Sequence, residues 1–322
     1  MVDSTLSIIT DMKFPHCLTR PHCVVAIVSL GLISAISGVC AQTLEPRAYT
    51  NAPVGMNFLL VGYQNSKGGL LFDPAVPITD ANAKVDMGLL AYVRTMDVAG
   101  KSAKAGVILP YASLYADGYL NGDFRTRDTD GLADPAFYFS MNFYGAPAVS
   151  MKEFRDYQQD TIIGFTLKLM PPLGAYESDK MINIGTNRWT FEPGLGVSKA
   201  LGKWTLEASA AVDLYTDNND FDNGKTRQQD PIYSTQFHVT YNFPHHIWAA
   251  VSATYYTGGS TTIEGVSNDD LQQNWRTGFT LALPVNRYHS IKLYGSSGVS
   301  TRTGTNYDVL GVAWQYRWGG GF

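Results

Sequence analysis

The residues of this chain that could do chemistry are sparse, and they fall at alternate positions between apolar neighbours. Asp86 with Arg94, Arg188 with Glu192, Glu207 with Asp213, and Lys292 with Arg302 form four pairs that each keep one parity. Lys104, Lys168, His238, Arg276 and Arg317 stand singly in the same phase. Side chains two residues apart share one face of a strand, so this spacing assembles a mixed-charge surface opposite an apolar one. Such a surface can select solutes by size and charge along a passage. It can equally satisfy itself as a ladder of internal ion pairs. Covalent chemistry is a poorer match. No Gly-x-Ser-x-Gly elbow is present, His245, His246 and His289 fall in short connections, and only His238 sits mid-segment. Two acidic stretches, Asp128-Thr129-Asp130-Gly131 and Asp217 to Gly224, lack the glutamate that closes a calcium loop. They read as solvated turns. The expectation is a protein without catalytic residues, metal or cofactor.

A face of this kind needs strands to hold it. Beyond residue 55 the apolar spacing is two rather than 3.6, in segments of about ten residues. They run 56–64, 83–95, 104–116, 135–144, 161–170, 188–199, 204–215, 232–243, 247–257, 274–284, 290–301 and 308–318. Segment 104–116 is apolar on both faces and contains Pro110, which cannot donate to a ladder. Short connections (97–103, 200–203, 244–246, 285–289) alternate with long polar ones (65–82, 117–134, 171–187, 216–231, 258–273). Only 302–307, short, and 145–160, long, break the rhythm. Short turns on one rim and long loops on the other describe an outer-membrane barrel. The fold class is therefore all-β: a twelve-stranded antiparallel transmembrane β-barrel with long extracellular loops and short periplasmic turns.

Composition agrees. Hydrophobic residues make up 45% of the 322 and aromatic residues 12%, while charged residues are only 16%. Average proteins carry about 25% charged residues. Mean hydropathy is nonetheless −0.10, as expected when half of each strand faces lipid and half a polar interior. Nineteen Tyr, 15 Phe and 6 Trp exclude a disordered chain, and a net charge of −4 offers no field for nucleic acid. Trp189, Trp204, Trp248, Trp275 and Trp318 lie at segment ends, where aromatic girdles meet the two membrane interfaces. A Lys or Arg facing lipid at mid-depth costs about 2–4 kcal/mol, so the paired charges are expected in the lumen. By parity the lining comprises Asp86, Arg94, Lys104, Lys168, Arg188, Glu192, Glu207, Asp213, His238, Arg276, Lys292, Arg302 and Arg317.

The ends read differently. Lys13 and Arg20 precede an uncharged apolar run from Val24 to Ile36, followed by small residues and Val39-Cys40-Ala41 before Gln42. That is a secretory signal peptide over 1–41, cleaved between Ala41 and Gln42; Met12 would serve equally as its start. All three cysteines (Cys17, Cys23, Cys40) lie inside it, so the mature chain has no thiol chemistry and no disulfides. Residues 42–55 lack strand character and read as a periplasmic or lumenal N-terminal segment ahead of the barrel, 56–322. Ser150 three residues before Glu153 forms a capping-box pattern, marking a short helix within 147–158.

Several strand-end and loop motifs, in order, carry a resemblance. They are Asp130-Gly131-Leu132-Ala133-Asp134, Ile184-Gly185-Thr186-Asn187-Arg188-Trp189, Asp217-Asn218, and Gln229-Asp230-Pro231-Ile232-Tyr233. Tyr256-Thr257-Gly258-Gly259 and Leu310-Gly311-Val312-Ala313-Trp314-Gln315-Tyr316 complete the series. Over 45–318 the chain resembles the outer-membrane proteins of the phenol meta-pathway (MetA-type) transporter family, with Ala133 where glycine is expected. The resemblance implies an outer-membrane barrel passing aromatic or other hydrophobic compounds. Phe322, in step with Trp314, Tyr316 and Trp318, resembles the C-terminal signal read by the barrel-assembly machinery.

The expected function is passive uptake of small hydrophobic or aromatic compounds across the outer membrane of a Gram-negative bacterium. The expected partners are outer-membrane lipid, the barrel-assembly machinery and the solute, with no nucleic acid. Alternatives are a non-transporting barrel whose loops bind partners or surfaces, an outer-membrane lipid-modifying enzyme, and a soluble secreted β-protein. N-terminal sequencing of protein extracted from membranes should begin at Gln42; a start at Met1 or Met12 would remove the signal-peptide assignment.

Overall fold

A computed structural model of the chain describes residues 45–71, 78–120 and 122–321. The cleavage position Ala41–Gln42 and the terminal Phe322 lie outside the described residues. The barrel strands are β1 (Met56–Leu71), β2 (Ile78–Val98), β3 (Lys101–Leu120), β4 (Ala136–Tyr144), β5 (Thr161–Met170) and β6 (Thr190–Leu201). They continue as β7 (Trp204–Tyr215), β8 (Ile232–Asn242), β9 (Trp248–Gly258), β10 (Gln272–Pro284), β11 (His289–Ser300) and β12 (Gly304–Gly319). Each pairs antiparallel with its sequence neighbours, and β12 returns to β1 with Met56 opposite Gly319 and Leu71 opposite Gly304. The twelve strands close into a barrel.

Alternation sets the register of faces. In β12, Leu310, Val312, Trp314 and Tyr316 turn outward while Gly311, Ala313, Gln315 and Arg317 are buried inside. Outward aromatic rings stack at the strand ends: His289, Trp314, Tyr316 and Trp318 form one column, and Trp318 contacts Tyr92. Trp204 packs edge-on against Tyr241, and Trp275 lies tilted against Tyr255. Pro110 falls where the outer edge of β3 changes partner. Below it β3 pairs with β4 up to Ile108–Ala136, and above it with the strand Asp123–Leu132 from Tyr111–Leu132. The missing N–H sits in the gap between the two ladders, the one place in a mid-sheet strand where it costs no ladder bond.

The structure corrects four expectations. Residues in 65–82 and 117–134, read as loops, are largely ladder: β1, β2 and β3 run past the barrel rim and Asp123–Leu132 folds back along β3. Polar side chains stand on both sides of this extension, so it lacks the apolar alternation that marks the lower strand. Asp128 to Gly131 accordingly lie in a strand, not in a turn. Asp86 and Arg94 face outward, because Val85, Met87, Leu89, Ala91 and Val93 take the inner face of β2. Both faces of β2 are apolar, so charge cannot tell them apart. Asp86 accepts from Tyr63 and Asn65 and pairs with Lys84 at 3.0 Å. Arg94 and the Lys84–Asp86 pair bracket the outward Leu90 and Tyr92, at the ends of the apolar band where charge is least costly. Trp248 points inward and is 1% exposed.

The inner wall of β1–β4 is therefore an apolar core. Phe58, Leu60, Leu89, Val93, Ile108 and Tyr138 pack there with Ala52 of the N-terminal segment and Phe154. Phe154 ends α1 (Met151–Phe154), the single turn that the Ser150–Glu153 capping box starts. Hydrogen bonds from the Ser150 backbone and hydroxyl hold the Glu153 carboxyl below its usual range. Higher up, Val85, Met87, Ala112 and Leu114 pack against Ile182 and Ile184 of the loop after β5. Truncating Phe58, wholly buried, should cost about 3–5 kcal/mol in urea unfolding from lipid vesicles. Outward Val61→Ala should cost clearly less, and equal losses would contradict the assigned faces.

Candidate functional site: the occupied lumen

The remaining interior is polar, and chain from the N-terminus fills it. Residues 45–55 enter the barrel ahead of β1 and are almost entirely buried or half-buried. Their backbone, which forms no ladder, is satisfied by the wall, as buried amides and carbonyls require. The Arg47 amide donates to Glu207 on β7, and the Glu45 amide to Gln236 on β8 at 3.4 Å. Lys104 on β3 donates to the Ala48 carbonyl at 2.9 Å, and Asn142 on β4 to that of Tyr49 at 2.9 Å. Thr95 on β2 caps the exit: its hydroxyl donates to the Pro53 carbonyl at 2.5 Å and accepts from the Met56 amide at 2.9 Å. Val149, in the connection before α1, accepts from Val54.

Side chains of the segment extend the wall's charge pattern. Lys168 on β5 lies 3.0 Å from Glu192 on β6 and 3.6 Å from Glu45. Arg47 stacks its guanidinium 5.4 Å from the Trp248 ring centroid and donates to Asn242 at 3.2 Å. Trp248 shares the inward parity of Ser252 and Thr254 on β9, and Arg47 covers its ring. Tyr49 is 3% exposed and packs with Ala146 and Ile162. Between the segment and β4–β8 a cavity of about 40 Å³ remains, lined among others by Tyr49, Lys168, Glu192, Glu207, Gln236 and His238. It holds water at most, since one water needs roughly 10–15 Å³ on this measure.

Of the residues assigned to the lining, Lys104, Lys168, Arg188, Glu192, Glu207, Asp213, His238, Arg276, Lys292 and Arg317 face the interior. Arg188 stacks 4.1 Å from the Tyr215 ring centroid, and Arg276 3.8 Å from that of Tyr307. Arg276 also donates to Ser296 and to the Tyr307 carbonyl. Arg317 donates to the Arg287 carbonyl at 2.7 Å, and the Lys292 ammonium stands 5.7 Å from the Tyr294 ring centroid. Arg302 sits on the rim, paired with Asp269. Asp86 and Arg94 are outside. Trp189, Trp204 and Trp275 point outward and are 42–48% exposed; Trp318 also faces out.

Glu207, His238 and Ser252 lie in one row across β7, β8 and β9, with His238 Nδ1 2.8 Å from the Ser252 hydroxyl. The row resembles a hydrolase triad only in composition. Ser252 is mid-strand in the antiparallel ladder, where amides are spent on sheet pairing rather than aimed at an oxyanion. Arg47, Tyr49 and Glu45 were beyond sequence reasoning, because the wall, not a repeat within the segment, gives them their partners.

The family profile described as "Putative MetA-pathway of phenol degradation" matches residues 65–315. The chain belongs to this family. No curated protein matches it. Among solved structures it is similar to an outer membrane channel from Pseudomonas putida F1, with TM-score 0.74 and 21% identity. That match covers 86% of this chain and 100% of the other. It is also similar to the translocator domain of autotransporter NalP from Neisseria meningitidis, with TM-score 0.50 and 8% identity. There the coverage is 84% of this chain and 91% of that one. At such identities the likeness speaks for the outer-membrane barrel fold, as the closed ladder does independently.

Lys168 joins a carboxylate of the segment to one of the wall. Replacing it with methionine removes the ammonium between Glu45 and Glu192, a loss of about 3–5 kcal/mol for a buried pair. Hydrogen exchange of the amides in 45–55 should accelerate in Lys168→Met, while the amides of β12 stay protected.

Proposed function

We propose that the protein is an outer-membrane channel for passive uptake of small hydrophobic or aromatic compounds, held closed by residues 45–55. The observation that carries this reading is the way the interior is filled. Eight strands suffice for wall side chains to fill a barrel; this one has twelve, and its polar centre is occupied by a terminal segment. Such a segment can leave its seat with the barrel ladder intact. The interior it would vacate has a largely apolar wall on β1–β4, broken by Lys104, and a charged wall on β5–β12, which suits solutes with a ring or alkyl body and a polar group.

In this reading, residues 1–41 export the chain and are removed, the barrel-assembly machinery inserts it, and the outward face contacts lipid. Trp189, Trp204, Trp275 and Trp318 would mark the interfaces. The inward charges, from Lys104 round to Arg317, would line the path with the segment displaced. No cofactor takes part, and the chain does no catalysis.

The test is electrical. Deleting 42–54 from the exported chain and recording in planar bilayers should give stable openings, where the intact protein is mostly closed. Equal conductance would dismiss the segment as the plug. Silence from both, with liposomes that fail to swell in phenol or small sugars, would favour a barrel whose loops bind partners without transport.

A further inference from the structure

One aromatic ring of the segment occupies a bed that the barrel wall has been cleared to receive. Gly164 on β5 and Gly196 on β6 stand opposite each other in the ladder, both turned inward. A Cβ on Gly196 would fall inside the contact radius of Tyr49 Cε2 and Cζ, and one on Gly164 would lie 2.6 Å from Tyr49 Cδ1. The ring therefore lies flat on two bare backbones. Its hydroxyl reaches the side chain of Thr166, the next inward residue of β5. Gly194, the neighbouring inward position on β6, makes room for the Thr166 hydroxyl: a Cβ there would stand 2.8 Å from its Oγ1.

The bed offers more than the tyrosine uses. Asn142 is 1% exposed; its Nδ2 holds the Tyr49 carbonyl, but its Oδ1 has no hydrogen-bond partner. That oxygen points at the bed, 2.5 Å from where a Gly164 Cβ would stand. Glu207 is 5% exposed and lines the adjoining cavity, and its Oε1 likewise lacks a partner. A buried acceptor left unmade costs about 1–3 kcal/mol, and a ligand carrying a donor would recover part of it. If Tyr49 served only to anchor the segment, no acceptor would need to stand spare beside its ring.

We infer that the bed formed by Gly164, Gly194, Gly196, Thr166 and Asn142 is a binding site for a free monocyclic arene bearing one or two hydroxyl groups. Tyr49 occupies it as a tethered surrogate. A solute ring entering the bed displaces Tyr49, and with it the segment, so the transported compound opens its own path. This rests on the channel reading for its purpose, but binding can be measured without transport.

The experiment uses the full-length mature protein in micelles and 4-fluorophenol, followed by fluorine NMR, with fluorobenzene as the ring lacking a hydroxyl. Tyr49→Ala should bind 4-fluorophenol about tenfold more tightly than the unaltered protein, because the competitor is gone. Adding Gly196→Ala should abolish that gain by placing a methyl in the bed. Adding Thr166→Val, of similar shape, should cut affinity for 4-fluorophenol by about two- to tenfold, the range for one lost hydrogen bond, and leave fluorobenzene unaffected. Equal binding by Tyr49→Ala and Tyr49→Ala/Gly196→Ala would overturn the site. Heat-dependent gel mobility checks that each variant is folded. Should Tyr49→Ala not fold, the unaltered protein decides: 4-fluorophenol should speed hydrogen exchange in 45–55 and fluorobenzene should not, while no effect of either overturns the proposal. Specific binding without flux in bilayers would remove the channel reading and leave the site standing.

Discussion

Closure of the hydrogen-bonded ladder is the constraint from which the rest of this structure follows. Backbone groups in hydrocarbon have no water to pair with, so a sheet that crosses a bilayer must join its last strand to its first. The β1–β12 seam, from Met56–Gly319 to Leu71–Gly304, is that join. Twelve strands then enclose more volume than their own side chains fill. Three insertions make up the difference: residues 45–55, the turn of α1 with Phe154, and the loop carrying Ile182 and Ile184. The apolar insertions cover the apolar wall, and the segment with Glu45 and Arg47 meets the ionic one.

Much of this was legible from alternation. The twelve barrel strands fall on the segments with period two, and from β5 to β12 the charged side chains take the inner face, apart from Lys199 and Asp308 towards strand ends. β2 is where the signal fails. Leu90 and Tyr92 outside are as apolar as Leu89 and Val93 inside, so Asp86 and Arg94 look like lumen residues until the packing of Phe58 and Ile108 is known. Trp248 fails for a related reason. An aromatic at a strand end fits an interfacial girdle, but this one has the parity of the inward Ser252 and Thr254, and the guanidinium of Arg47, far away in sequence, covers its ring. Ladder above the rim is illegible for a third reason: with water on both sides, nothing drives apolar residues to one parity.

The N-terminal segment was the least legible part and bears most on function. It has no repeat because it matches a surface rather than a period. Its one readable trace lay elsewhere, in the inward glycines of β5 and β6. Gly164, Gly194 and Gly196 leave three inward positions without side chains on a strand pair that is otherwise well filled. Glycine weakens a strand interior, and here the close approach of the Tyr49 ring accounts for Gly164 and Gly196, and that of the Thr166 hydroxyl for Gly194.

The seating of the segment also fixes when it can occur. Its partners are Thr95, Lys104, Asn142, Lys168, Glu207, Gln236 and Trp248, contributed by strands from β2 to β9. No short stretch of nascent chain presents them together. The residues that precede the barrel in the chain can thus take their seat only once strands from β2 to β9 have come together. The buried segment is a readout of the whole wall: it finds its full set of partners only where distant strands have met in the correct order.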